Sequence, residues 1–199
     1  MERPIIGILA LQGAFVEHEQ ALTRLGARTR QVRLPEHLDD VDGLIIPGGE
    51  STVIGKLMVR YRLDERIRQF AAAGCAIWGT CAGMILLARD AGREQPLLGL
   101  LDIDVERNAY GSQLYSFEED VSLPGFGIGA LPAVFIRAPV VSRVGDGVTV
   151  EATDSQGHVI AVSAGAIVAT AFHPELTSDT RLHERFCRLA LGGVEVAVR

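Results

Sequence analysis

Short apolar runs alternate with amphipathic stretches along the first ninety residues of the chain. The apolar runs predict buried strands over residues 4–11, 29–34 and 44–46. The spacing of large apolar side chains predicts a helix over 15–25 and further helical stretches through residue 73. Strand and helix thus repeat in the order βαβαβα. We therefore predict a mainly parallel sheet whose strands are joined by right-handed crossovers.

The pattern changes in the second half of the chain. Leu101, Ile103 and Val105 alternate with acidic residues, which is typical of a strand that has one face in water. Short strands with Gly and Pro turns continue to about Val162, and a run of small apolar residues over 165–172 predicts a central strand. This half is therefore expected to be rich in β-structure.

The last periodic stretch predicts a closing helix. It begins at Ser178-Asp179 and turns Leu182, Phe186 and Leu189 inward. The predicted fold is a single α/β domain over residues 1–199, in which helices flank a mainly parallel central sheet and extra β-strands follow in the C-terminal half. Ligands of open sheets of this kind bind beyond the carboxyl ends of the strands.

One pentapeptide, Gly79-Thr80-Cys81-Ala82-Gly83, separates a predicted strand over 76–78 from a predicted helix over 84–88. It has the small-x-nucleophile-x-small form of a strand-to-helix elbow, with cysteine in the place of serine. Such an elbow sets the Cys81 sulfur beside the N–H groups of a first helical turn, which stabilise a thiolate. Cys81 is therefore the candidate nucleophile. The alternative is a buried structural cysteine.

A candidate base follows the strand predicted over 165–172. His173 precedes a proline, which favours extended geometry, so the side chains of His173 and Glu175 are expected to project to the same side. An imidazole that takes the thiol proton and is oriented by a carboxylate would complete a Cys–His–Glu triad. The remaining histidines are predicted to be structural or at the surface: His18, His37, His158 and His183.

A third candidate element is the loop Pro47-Gly48-Gly49-Glu50-Ser51-Thr52, which follows the strand over 44–46. Its glycines allow the backbone to approach a ligand closely. The Gly49 N–H and the Ala82 N–H would together form a two-donor oxyanion hole. Ser51 or Thr52 is predicted to cap the helix that follows. By itself the loop is equally consistent with an ordinary strand-to-helix turn.

These three elements, in this order, resemble the class I (triad) glutamine amidotransferases, and most closely the glutaminase subunits of the two-subunit pyridoxal 5′-phosphate synthase. The elbow and His173-Pro174-Glu175 are common to that whole superfamily. The match also includes Ile8-Leu9-Ala10-Leu11-Gln12-Gly13, Arg107-Asn108-Ala109-Tyr110-Gly111, Gln113, Ser116-Phe117-Glu118, Phe135-Ile136-Arg137-Ala138-Pro139 and Leu176. The segments that begin at Arg107 and Phe135 are the most specific to this subunit. Ser112 and Tyr110 depart from the family's usual Arg and Phe, and neither is a catalytic position.

The resemblance implies a flavodoxin-like domain that hydrolyses L-glutamine to L-glutamate and ammonia. It implies glutamine contacts from Gly49, Glu50, Ser51, Arg107, Ile136 and Arg137. The residues alone leave a surface ion pair open for the two arginines, although arginine suits a substrate carboxylate because it donates two parallel hydrogen bonds.

The resemblance also implies a partner, the synthase subunit, which assembles pyridoxal 5′-phosphate from a pentose phosphate, a triose phosphate and the delivered ammonia. In the family, twelve copies of each subunit make the complex. The glutaminase subunit itself needs no metal and no cofactor there.

Composition and charge exclude several other classes. A chain of 199 residues can bury a full sheet, and its apolar share of 48% comes in runs that are too short or too charged to span a membrane. A net charge of −6 without a basic run argues against general nucleic-acid binding. No signal peptide is evident, and a catalytic thiol must stay reduced. We therefore expect a cytoplasmic protein.

Three alternatives remain open from the sequence. The first is a glutaminase subunit of another amidotransferase, such as imidazole glycerol phosphate synthase. The second is a stand-alone cysteine hydrolase, which would need no partner and would give no reason for the segments around Arg107 and Arg137. The third is a non-catalytic binding subunit, against which the intact set of Cys81, His173 and Glu175 argues.

Overall fold

The computed structural model describes residues 3–110 and 116–192. Gly111, Ser112 and Gln113, which the motif comparison includes, lie outside the described residues. Within these ranges the strands are β1 Ile5–Leu9, β2 Arg28–Val32, β3 Gly43–Ile46, β4 Ala76–Thr80, β5 Ile103–Glu106, β6 Ser116–Leu123, β7 Ile128–Ile136, β8 Val140–Val144, β9 Thr149–Thr153, β10 Val159–Ala164 and β11 Ile167–Thr170. The α-helices are α1 Phe15–Arg24, α2 Ser51–Arg60, α3 Leu63–Ala72, α4 Ala82–Leu87 and α5 Arg181–Ala190.

The parallel part of the central sheet consists of β2, β1, β3, β4 and β11, side by side in that order. Each neighbouring pair of these strands is parallel. Every residue of β3 and β4 is buried, as expected for parallel strands whose two faces are both covered. The strand β11 comes from the far end of the chain and pairs with β4, so the central strand predicted near residues 165–172 is present.

The remaining strands of the sheet pair in the antiparallel sense. β10 joins β11 to β8 and also pairs with β9, and β8 pairs with β5. β6 and β7 form a separate two-stranded antiparallel sheet. The sheet is therefore mixed. Its parallel part and the extra strands of the C-terminal half both agree with the predicted α/β fold.

Several elements differ in extent from the prediction. The strands predicted to reach residues 11 and 172 end at Leu9 and Thr170, because the chain leaves the sheet there to form the site. The helical region through residue 73 is divided into α2 and α3 by a turn in which Arg62 has a φ of 59°. Helix α4 begins at Ala82, directly after the elbow cysteine.

The buried apolar side chains form one cluster that runs from β1 through the central strands to α5. Helices α1 and α5 contact each other, and α5 also packs on β4. Helix α2 contacts α4. Among the described residues no helix combines the length and apolar character that a membrane span requires.

Candidate active site

Cys81 lies at a sharp turn between β4 and α4. Its backbone has φ 48° and ψ −101°, which is a strained conformation for a residue with a side chain. A Cβ on Gly83 would lie 2.1 Å from the carbonyl oxygen of Ile46, so this position accepts only glycine. The elbow therefore has the geometry predicted from its small residues. The Cys81 side chain lies in a cavity although the residue is only 7% exposed.

His173 and Glu175 are in direct contact just beyond β11. The His173 Nδ1 is 2.7 Å from Glu175 Oε1, and the backbone N–H of His173 donates to the Val134 carbonyl at 2.8 Å. Residues 174–176 form a 3-10 turn, so the extended geometry expected for this segment is wrong. His173 and Glu175 nevertheless pair as predicted, because the tight turn brings the carboxylate back under the imidazole.

The charges next to His173 favour a protonated imidazole. Burial by itself lowers the pKa of His173, but the neighbouring Cys81 and Glu175 outweigh burial and raise that pKa to about 10. Since Nδ1 is held by Glu175, Nε2 is the ring nitrogen left for Cys81. Burial raises the pKa of Glu175, whereas the neighbouring His18 and His173 lower it below its ordinary value, so this side chain is a carboxylate.

The glycine loop after β3 lies against this group. The Gly48 N–H donates to Thr80 Oγ1 at 3.1 Å, and the Gly48 carbonyl accepts from the Ala14 N–H at 3.0 Å. Because the C=O and N–H of a trans peptide point in opposite directions, the Gly49 N–H points away from Ala14. A Cβ on Gly48 would lie 2.2 Å from His173 Cε1. Only glycine therefore allows the imidazole to pack against this loop.

The candidate residues converge on one cavity of about 690 Å³. Cys81, His173 and both predicted oxyanion donors line it, as do all the predicted glutamine contacts. Its lining comprises Gly49, Glu50, Ser51, Cys81, Ala82, Ile85, Arg107, Asn108, Tyr110, Ile136, Arg137, Ala138 and His173. Glu175 is absent from this lining and lies behind His173. The arrangement brings a thiol, an imidazole and charged groups to a space large enough for a small polar molecule.

Two charged side chains meet at one side of the cavity. Arg107 Nη2 is 3.4 Å from Glu50 Oε1. Glu50 also accepts hydrogen bonds from the N–H groups of Thr52 and Val53 and thereby caps α2. The prediction that Ser51 or Thr52 is the cap is therefore wrong, because the longer carboxylate of Glu50 reaches the same donors.

The family model of the SNO glutamine amidotransferase family matches residues 8–191. The chain belongs to this family. Membership of the SNO family confirms the expectation of a glutaminase, and with it the resemblance drawn from the motifs.

Individual relatives support the same family assignment. The chain is similar to the pyridoxal 5′-phosphate synthase subunit PdxT of Herpetosiphon aurantiacus, with 56% identity over 188 residues that cover 92% of this chain and 99% of that one. A crystal structure of a glutamine amidotransferase has 49% identity and a TM-score of 0.88, and the match covers 93% of this chain and 98% of that one. The structure of PurLQS from Thermotoga maritima, at 17% identity and a TM-score of 0.72 over 94% of this chain and 98% of that one, shows the fold alone.

Sequence reasoning missed several polar residues at this site of the SNO family chain. Gln95 Oε1 accepts from Arg107 Nη1 at 2.7 Å and from Ser51 Oγ at 3.3 Å, so it holds two of the predicted glutamine contacts. Gln95 lies in an irregular segment without a motif, and no sequence signal could have found it. His18 and His183 are fully buried behind Glu175, whereas the sequence left surface positions open for both.

The other cysteines lie elsewhere. Cys75 directly precedes β4, and Cys187 is on α5. Burial, together with nearby Glu184, raises the pKa of Cys187 to about 11, which makes that thiol a poor nucleophile at neutral pH.

Proposed function

We propose that this chain hydrolyses the side-chain amide of L-glutamine with Cys81, His173 and Glu175 as its catalytic triad. The observation that carries the proposal is the contact of His173 Nδ1 with Glu175, behind a cavity that His173 and Cys81 both line. This contact orients the imidazole and stabilises its protonated form. We further propose that residues 1–199 form a single glutamine amidotransferase domain.

In the proposed reaction, the Cys81 thiolate attacks the carboxamide carbon, and the carbonyl oxygen becomes an oxyanion held by the N–H groups of Gly49 and Ala82. The tetrahedral intermediate collapses to a thioester as the C–N bond breaks, and His173 gives its proton to the departing ammonia. Water, deprotonated by His173, then attacks the thioester. Glutamate leaves and the thiolate is restored.

The glutamine backbone would bind on the charged side of the cavity. Arg107 and Arg137 suit the α-carboxylate, and Glu50 suits the α-ammonium group. Ser51 and the backbone of Ile136 complete the proposed contacts. Gln95 supports this assignment because it fixes the Arg107 guanidinium at 2.7 Å, so that little side-chain entropy is lost when a substrate binds.

We propose that the ammonia passes to a pyridoxal 5′-phosphate synthase subunit, in a complex of twelve copies of each subunit. The name of the Herpetosiphon relative supports this partner. A thiol enzyme must stay reduced, and we propose the cytoplasm as its compartment.

The test is a glutaminase assay with and without the purified synthase subunit. We expect very low activity alone and a large rise in kcat with the partner, because turning the N–H of the Gly48–Gly49 peptide toward the oxyanion adds a transition-state donor worth roughly 10²–10³ in rate. Gly49→Ala should blunt this rise, since its Cβ would meet the backbone Cα of Gly13 at 3.1 Å as well as Gln12 Oε1 at 2.6 Å.

Gly129→Ala, which meets nothing within 4 Å, is the matched control and should behave as the parent chain. Equal turnover with and without the partner would favour a stand-alone hydrolase. A response to the synthase subunit of another amidotransferase, and none to this one, would reassign the pathway.

A further inference from the structure

The carboxylate of Glu175 has a rear oxygen that the triad does not use. Oε1 is bound to His173, whereas Oε2 is buried and makes no hydrogen bond to any described residue. His18 Nε2 lies 3.4 Å from this Oε2, and neither side chain has any exposed surface. Burying a carboxylate oxygen without a hydrogen-bond donor costs free energy, so an imidazole N–H that faces this oxygen would stabilise it.

The protonation state of His18 follows from its surroundings. Burial lowers the pKa of His18, although Glu175 raises it, so the ring is neutral near pH 7. A neutral ring has one N–H. A proton on Nε2 faces the Glu175 carboxylate, whereas the other tautomer would place a lone pair against it. Electrostatics therefore select the Nε2–H tautomer.

His183 favours the same tautomer from the other side of the His18 ring. The His183 Nε2 is 3.0 Å from His18 Nδ1, so a neutral His183 with its proton on Nε2 donates to the free lone pair of His18. The His183 Nδ1 then carries only a lone pair, and that atom has no donor among the described residues. Helix α5 thus holds the ring of His18 on α1 in a fixed orientation.

Thr80 links this pair to the glycine loop. Its Oγ1 is 3.1 Å from His18 Nε2 and also accepts the Gly48 N–H at 3.1 Å. Both bonds are buried, and Thr80 directly precedes Cys81 in the chain. The His18 side chain therefore touches the rear of the triad carboxylate. The Thr80 side chain touches the backbone of the loop that carries the proposed oxyanion donor.

We propose that His18 and Thr80 are positioning residues, which keep the Glu175 carboxylate and the Gly48–Gly49 loop in register with Cys81, and that His183 acts through His18. This proposal rests on the triad proposed above. Neither residue touches the reacting atoms. Substitution of either residue is expected to change kcat rather than glutamine binding. A small misplacement of the base and the oxyanion donor reduces the stabilisation of the transition state alone.

Two conservative pairs of variants test the proposal in the presence of the synthase subunit. Thr80→Val keeps the shape and removes the oxygen, whereas Thr80→Ser keeps the oxygen. His18→Phe fills the space without a donor, whereas His18→Gln retains an N–H near the Nε2 position. We expect Thr80→Val and His18→Phe to lower kcat by roughly 10- to 100-fold with KM changed less than about twofold. Thr80→Ser and His18→Gln should recover most of the loss.

Thermal unfolding of each variant separates positioning from stability, and His37→Gln serves as a histidine control outside the site. The proposal is overturned if folded Thr80→Val and His18→Phe keep the parental kcat, or if Thr80→Ser and His18→Gln lose as much kcat as they do. If His18→Phe fails to fold, the Thr80 pair alone decides by the same criteria. A parent chain that does not hydrolyse glutamine contradicts the triad itself, which distinguishes that failure from this one.

Discussion

The parallel and antiparallel parts of the molecule contribute different residues to the cavity. The parallel part supplies Cys81, the glycine loop and, just after β11, His173. Its strands β3 and β4 are buried throughout. The antiparallel part supplies Arg107 after β5 and Ile136 and Arg137 at the end of β7, from strands whose residues alternate between buried and exposed.

This difference suggests a division of labour. Reacting groups need fixed geometry, which a strand covered on both faces provides. Groups that recognise the ends of a substrate can lie on half-exposed strands, where charged side chains keep part of their hydration. The backbone N–H of His173 donates to the Val134 carbonyl and so joins the two parts at a residue that lines the cavity.

The largest effect is expected from the parallel part, at Cys81. Cys81→Ala should reduce glutamine hydrolysis by about 10³-fold or more and leave thermal unfolding unchanged, because only the thiolate begins the chemistry. A glutamine-like diazo-ketone should label Cys81 in the parent chain and spare Cys75 and Cys187. Cys187→Ala is the matched control, and label found on Cys187 would contradict the assignment.

A second prediction separates base from orienting group. His173→Asn should be nearly inactive. Glu175→Gln should retain measurable turnover, because the carboxylate orients the imidazole and takes no proton itself. Steady-state kinetics across neutral pH measure both. Full turnover of Glu175→Gln would replace the triad with a Cys–His dyad.

A third prediction concerns the antiparallel part and should affect binding. Arg107→Met removes a charged donor from the cavity, and we expect KM for glutamine to rise by about 10- to 100-fold with a smaller change in kcat. Arg143→Met is the control, since Arg143 pairs with Asp102 and Asp104 outside the cavity. A fall in kcat at constant KM would place Arg107 in the chemical step and remove the proposed division.

The smallest effect is a change in titration. Cys81 raises the pKa of His173, so Cys81→Ala should lower that pKa from about 10 toward its ordinary value. The sign follows because the substitution removes a group that stabilises the imidazolium, while burial continues to disfavour charge. Nitrogen-15 NMR titration of the ring measures it, with Cys187→Ala as the control. An unchanged titration would mean that Cys81 and His173 are not coupled.

Much of this molecule could be predicted from local pattern. The βαβ order gave the parallel strands, and the glycines around Cys81 gave the elbow, because both depend on neighbours in sequence. The pairing of His173 with Glu175 was predicted correctly although the backbone between them is a 3-10 turn rather than a strand. The glutamine contacts came from family motifs, and their roles remain predictions.

The sequence by itself therefore determined the fold class, the elbow and the candidate triad, since each is written in short-range spacing. Only the tertiary structure decided what lies behind the triad. His18 and His183 are 165 residues apart, and they meet because α1 and α5 pack together beside β4. Burial there removes water as a hydrogen-bond partner, so the two histidines bond to each other and His18 also bonds to Thr80. No local pattern encodes a contact that depends on which two helices share a face of the sheet.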